Sequence, residues 1–131
     1  MTTEIDRTIA APPHVVFDLL TTPEGLVQWW PSTAEIDLQV GGAYHFYWAG
    51  PDVHLRGEVT AVDAPRMFAY TWSWDHEELP TSQVRIELID AEGSTSLHLE
   101  HTSSTAEEAG DHRDGWEFFL GRLAEVAERA T

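Results

Sequence analysis

The sequence predicts an α+β domain: a curved antiparallel sheet of about seven strands wrapped around one long C-terminal helix, with two short helices after the first strand. Three observations predict it. From Ala34 to Thr102 apolar residues recur with period two, in short runs separated by turn sequences. After Ser104 the apolar period becomes helical. Before Ala34 stand one alternating segment and two helix starts.

Residues 3–9 alternate, with Ile5 and Ile9 on one face and Glu4, Asp6 and Thr8 on the other, as a half-buried strand does. Pro12-Pro13 ends it, and His14–Leu20 gives a short helix that packs Val16, Phe17 and Leu20. Thr22-Pro23-Glu24 opens a second helix, with Thr as cap and Pro in the first turn. Trp29-Trp30-Pro31 stops it. Strands follow over 34–40, 43–49, 54–62, 66–74, 82–89 and 95–102. Gly41-Gly42, Gly50-Pro51-Asp52, Asp63-Ala64-Pro65 and Asp90-Ala91-Glu92-Gly93 separate most of them, and connections this short make antiparallel hairpins in a meander.

One face of these strands carries Tyr44, Phe46 and Trp48, then Phe68, Tyr70, Trp72 and Trp74, then Val84, Ile86 and Leu88, and last Leu97, Leu99 and His101. Ser104-Thr105-Ala106-Glu107 has capping-box spacing, Gly110 interrupts that first turn, and Asp111 caps the longer helix to about Ala130. Its stripe is Trp116, Phe119, Leu120, Leu123 and Ala127.

Composition narrows the function. The 131 residues hold seven Lys+Arg against 23 Asp+Glu, a net charge of −16, and all seven cations are Arg. The charge is spread over both halves, so it reads as a solvated shell; it repels nucleic acid and anionic membrane. Absence of cysteine excludes disulfides, thiol catalysis and zinc–thiolate sites. The N-terminus lacks an apolar signal-peptide core and no apolar run approaches ~20 residues, so the expectation is one cytoplasmic domain over 1–131 without membrane insertion.

The order of elements, with the residues at their joints, resembles the START-like (SRPBCC) helix-grip superfamily. Within it the chain is most similar to the family named after the activator of heat-shock protein 90 ATPase. The matching segments are Ile9-Ala10-Ala11-Pro12, Pro23-Glu24 with Trp29-Trp30-Pro31, Gly41-Gly42-Ala43-Tyr44, and Gly57-Glu58-Val59. Asp63-Ala64-Pro65-Arg66, Tyr70-Thr71-Trp72, Thr95–His101 and Gly115-Trp116 through Leu123 complete them. The resemblance implies a deep cavity between sheet and C-terminal helix. Such families include lipid carriers, hormone receptors, polyketide cyclases, drug-sequestering proteins and co-chaperone domains, so the fold does not choose among functions. The eukaryotic co-chaperones that name the family carry a further N-terminal domain, which is not in this sequence and counts against a chaperone-activating role.

Large rings on a curved sheet cannot all pack to its centre, and a cavity lined by them suits a planar or lipid-like ligand. The expected lining is Tyr44, Phe46, Trp48, Tyr70, Trp72, Trp74, Ile86, Leu99, Trp116, Phe119 and Leu120, with His101 as the polar contact. The alternatives are a cyclase- or hydrolase-type enzyme using His101 as acid–base, and a co-chaperone-like interaction module using the acidic outer sheet. Arg56 and Glu58 share one strand face, as Arg85 and Glu87 share another, and pairing of these charges with facing strands in solvated ion pairs is expected. His98 and Glu100 face outward, and no spaced metal-ligand motif or phosphate loop appears, so neither metal nor cofactor is expected. The loops Gly50–Asp52 and Ser73–Pro80 lie where they can flank the cavity mouth, and an edge strand such as 43–49 is free to pair across a homodimer.

Overall fold

The structure is a computed structural model and describes residues 2–76, 81–103 and 106–130, with side chains of the last helix from His112 onward. Its elements run β1 (Thr2–Ile9), α1 (Pro13–Thr21), α2 (Pro23–Leu26), β2 (Thr33–Ile36), β3 (Ala43–Trp48), β4 (Val53–Asp63), β5 (Met67–Trp74), β6 (Ser82–Ala91), β7 (Ser94–Thr102) and α3 (Ala106–Arg129). The seven strands form one antiparallel sheet in the order β1-β7-β6-β5-β4-β3-β2. The α+β architecture with its curved open sheet and C-terminal helix is the one the sequence predicts.

The strands from β2 to β7 follow one another as an antiparallel meander, with a tight turn between β6 and β7. Glu92 and Gly93 both take positive φ, the pairing a two-residue hairpin turn needs between Ala91 and Ser94. β1 then returns to pair with β7, from Thr2 opposite Thr102 to Ile9 opposite Thr95. Thr22 caps α2 as expected, accepting from the Gly25 backbone N–H at 3.0 Å.

Three expectations are corrected. β2 ends at Ile36, and Asp37–Gly42 folds into a turn in which Gln39 N–H donates to Asp37 O and Gly42 N–H to Gln39 O. The alternating Leu38 and Val40 therefore face solvent instead of extending the strand. The 43–49 strand is not an edge, because β2 pairs along it from Tyr44 to Tyr47; the sheet edges are β1 and β2. Finally, α3 starts before Gly110 and passes through Gly110 and Asp111 without a break. One helical glycine costs about 1 kcal/mol against Ala, which the long buried stripe of α3 outweighs. The predicted cap at Ser104-Thr105 lies outside the described residues.

Alternation on the strands sets the interior. β6 reads buried–exposed from Ser82 to Leu88, and β7 does the same through His101. Leu120, Leu123 and Ala127 of α3 are fully buried against it. The helix backbone approaches β1, α1 and β7. Toward β3–β5 the space between sheet and helix is bridged by large rings instead, and these form the candidate site.

Candidate functional site

Trp30 is the centre of this aromatic region. Its ring lies 5.4 Å from Phe46, 5.4 Å from Trp48, 5.7 Å from Trp72, 5.1 Å from Trp116 and 6.3 Å from Phe119. With Trp72 it is stacked at 27°. From sequence, Trp29-Trp30-Pro31 is a helix stop and one segment of the family resemblance, and Trp30 is not in the expected lining. An adjacent aromatic pair after a short helix has no period that would place either ring.

The two neighbours are held differently. Trp29 donates its Nε1–H to Leu19 O at 2.8 Å and is fully buried against α1. Trp30 makes no side-chain hydrogen bond to the described residues and is held by ring contacts. Trp48, Trp74 and Phe119 are half-buried and carry the cluster to the surface, with Trp48 and Trp74 5.2 Å apart.

Of the expected lining, Phe46, Trp48, Trp72, Trp116 and Phe119 converge on Trp30, and Trp74 joins through Trp72 at 5.5 Å. Tyr44 and Tyr70 lie one layer farther along the sheet, ring to ring at 5.3 Å, and Tyr44 is 4.7 Å from Phe46. The Tyr44 hydroxyl donates to Thr71 O across Gly57, where a Cβ would collide with both the Tyr44 ring and the β5 backbone. Burial raises the pKa of both tyrosines, so they remain neutral phenols. Ile86, Leu99 and Leu120 are buried in the aliphatic core.

His101 sits at the seam between aliphatic and aromatic halves, fully buried. The Trp116 Nε1–H donates to its Nδ1 at 3.0 Å. With Nδ1 accepting, the neutral ring carries its proton on Nε2 and donates it to Ser82 Oγ, 2.7 Å away. Burial, with His112 adding to it, pushes the His101 pKa down to about 3. His112 stacks on it at 3.9 Å and 7° and pairs through Nδ1 with Ser103 Oγ at 2.8 Å. Ser82 and His112 were not among the sequence candidates. Ser82 is a small polar residue at an inward position, and that was its only signal.

The remaining indole is different. Trp72 is 7 % exposed, and its Nε1–H finds no acceptor among the described residues. Its ring touches Trp30, Trp74, His101, His112 and Trp116. Within this cluster the indole N–H of Trp116 is satisfied and that of Trp72 is not.

The outer sheet face is charged and hydrogen-bonded. Arg56 of β4 pairs with Asp75, just past the end of the facing β5, at 2.8 Å, whereas Arg85 pairs with Glu87 on its own strand at 2.8 Å. His98 Nδ1 faces Asp6 at 2.7 Å and Nε2 faces Glu100 at 3.1 Å, and these carboxylates raise its pKa. Glu4, His98 and Glu100 place one possible ligand atom each within 4.8 Å of one another, and among the described residues they are the cluster most able to receive a cation. A protonated His98 already satisfies Glu100 of that cluster, and Asp6 outside it. Of the loops expected at the cavity mouth, Gly50–Asp52 forms the β3–β4 turn, and Asp52 accepts from Tyr47 at 2.8 Å. Residues 77–80 of the other loop lie outside the described residues. No described helix is long and apolar enough to cross a membrane.

Solved structures share this fold. MLL2253 from Mesorhizobium loti is 24 % identical, with a TM-score of 0.89 covering 100 % of this chain and 99 % of that one. CalU16 from Micromonospora echinospora is 25 % identical, with a TM-score of 0.82 over 95 % of this chain and 73 % of that one. The Aha1 dimer from Colwellia psychrerythraea is 20 % identical, with a TM-score of 0.81 over 98 % and 96 % of the two chains. No curated protein matches. The model of the family described as Activator of Hsp90 ATPase homolog 1-like protein matches residues 10–128, and the chain belongs to that family.

Proposed function

We propose that this domain binds a small hydrophobic molecule with a planar ring system between β3–β5 and α3, where the Trp30 ring now lies. The observation that carries the reading is Trp30 itself: among the described residues, a ring in contact with six others and held by those contacts alone, while the Trp29 stacked on it at 5.2 Å is anchored by a hydrogen bond. Aromatic contacts of this kind are worth ~0.5–1.5 kcal/mol each beyond area burial. A ligand ring that takes the place of Trp30 restores the same contacts, so the exchange is nearly even. Half-buried Trp48, Trp74 and Phe119 form the route from solvent.

An acid–base role for His101 has less support. Both its nitrogens are engaged with Trp116 and Ser82, and its pKa near 3 leaves it neutral at ordinary pH.

The test is titration of tryptophan emission with fluorene, a flat hydrocarbon, together with thermal melting. Saturable quenching and a raised melting temperature are expected in the wild type, and tighter binding in Trp30→Ala, whose cage is vacated. No saturable quenching in either protein would sink the proposal.

A further inference from the structure

The aromatic cage contains one chemical signal that ring packing does not explain. Trp72 is 7 % exposed and its Nε1–H has no acceptor among the described residues. Leaving a buried donor unpaired is unfavourable by an amount comparable to a whole hydrogen bond, and native interiors seldom contain one without a use. The neighbouring groups show that the fold is able to satisfy such donors here. Trp116 is given the His101 nitrogen, Trp29 the Leu19 carbonyl, and the Tyr44 hydroxyl the Thr71 carbonyl. His101 cannot serve Trp72 as well, since its Nδ1 already accepts and its Nε2 donates to Ser82.

We infer that Trp72 Nε1–H is the polar contact for the ligand, and that the ligand is an uncharged planar ring system bearing an exocyclic oxygen acceptor, such as an aryl ketone. This rests on the binding reading above and adds the ligand's chemistry to it. The N–H lies in the plane of its indole, so a ring stacked on Trp72 reaches it only through an acceptor carried on the rim. The acceptor is taken as neutral because, among the described residues, the ring partners of Trp30 and Trp72 include no Arg; of the two histidines there, His101 is a neutral ring and His112 Nδ1 is engaged with Ser103 Oγ. Burying a carboxylate in such a lining is prohibitive. The role assigned from sequence to His101 thus passes to Trp72.

The probes are 9-fluorenone and fluorene, which share a flat tricyclic frame and differ in one carbonyl, with 9-fluorenone-2-carboxylate as the charged member. Calorimetric titration of the wild type is expected to show fluorenone binding about tenfold tighter than fluorene, and the carboxylate at least tenfold weaker than fluorenone. In Trp72→Phe, which keeps a ring and loses the donor, fluorenone and fluorene should bind alike. If that variant does not fold, indole N–H resonances of the wild type provide a second readout. One of them should shift downfield on adding fluorenone and stay unshifted with fluorene. Equal affinities in the wild type, a preference that survives in Trp72→Phe, or a carboxylate that binds as well as the ketone would overturn the inference while leaving binding intact. Failure of every probe to bind would overturn both.

Discussion

The two halves of the interior are filled by different means. Where α3 lies against β1, α1 and β7, the packing is aliphatic: Ile5, Ile9, Val16, Leu20, Leu97, Leu99, Leu120 and Leu123 are all buried, most of them completely. Where the helix stands away from β3–β5, the space is taken by Trp30, Phe46, Trp48, Trp72 and Trp116. Branched aliphatic chains interdigitate between two backbones that are already close, and each fills a volume nothing else fits. Rings span a wider gap and meet through faces and edges, so one ring is replaceable by another. The first half therefore acts as the structural core, and the second is where the proposed ligand would exchange with a ring.

The largest effect that tests this contrast comes from removing one side chain from each half. Leu120→Ala is expected to cost about 3 kcal/mol, and Trp30→Ala about 4 kcal/mol, both as cavity-forming changes. The difference appears on adding fluorenone at one fixed concentration, a hundredfold excess over its Kd for Trp30→Ala, where binding stabilises that variant by ~2.7 kcal/mol and the more weakly binding wild type by less. Trp30→Ala should regain most of its loss in urea denaturation. Leu120→Ala should gain no more than the wild type does. Equal recovery in both variants would show that the halves do not differ in this way.

These two residues also mark what was legible in the sequence. Leu120 lies on a stripe of period 3.6, and the inward faces of β3, β5, β6 and β7 follow from alternation alone, because a one-residue slip would expose them. That is why the fold, and the ring cluster from Phe46 to Trp116, could be read. Trp30 could not, since it sits in an irregular segment between α2 and β2 where no period applies. The end of β2 failed for the opposite reason: Ile36, Leu38 and Val40 alternate like a strand, yet Leu38 and Val40 face solvent. Nor could the choice between His101 and Trp72 be made from residue types. Both point inward, and only the hydrogen-bond partners distinguish a satisfied histidine from an unsatisfied indole.

The seam between the halves gives the next effect, which is read through pH. The His101 pKa in the folded state, about 3, lies below its unfolded value near ~6.5. Between those values the unfolded chain binds more protons. The stability associated with a neutral His101 is thus complete above ~6.5 and is lost as pH falls toward 3, with a slope approaching ~1.4 kcal/mol per pH unit. His101→Asn removes the titrating group and keeps an oxygen able to accept from Trp116. Urea midpoints measured from pH 7 to pH 5 should fall more steeply for the wild type than for the variant. Parallel slopes would mean that the seam is open to water and the aromatic half is not a dry site.

The smallest effect lies on the same strand, three residues earlier and on the opposite face. His98 points outward over the aliphatic half, and its pKa is raised by Asp6 and then Glu100. Here the sign reverses. The folded value exceeds the unfolded one, so the stabilisation is fully present below ~6.5 and disappears as pH rises through the folded pKa. Solvent screens this group, whose side chain is 27 % exposed and whose Asp6 partner is 76 % exposed, and the effect should stay below ~1 kcal/mol. At low salt and pH 6 the wild type should be slightly more stable than His98→Gln, the gap should close by pH 9, and 0.5 M NaCl should narrow it, values chosen to span ~6.5 and to screen exposed pairs. A gap that widened with pH would contradict the assignment. Opposite pH responses from two histidines of β7 would follow directly from which side of the sheet each one faces.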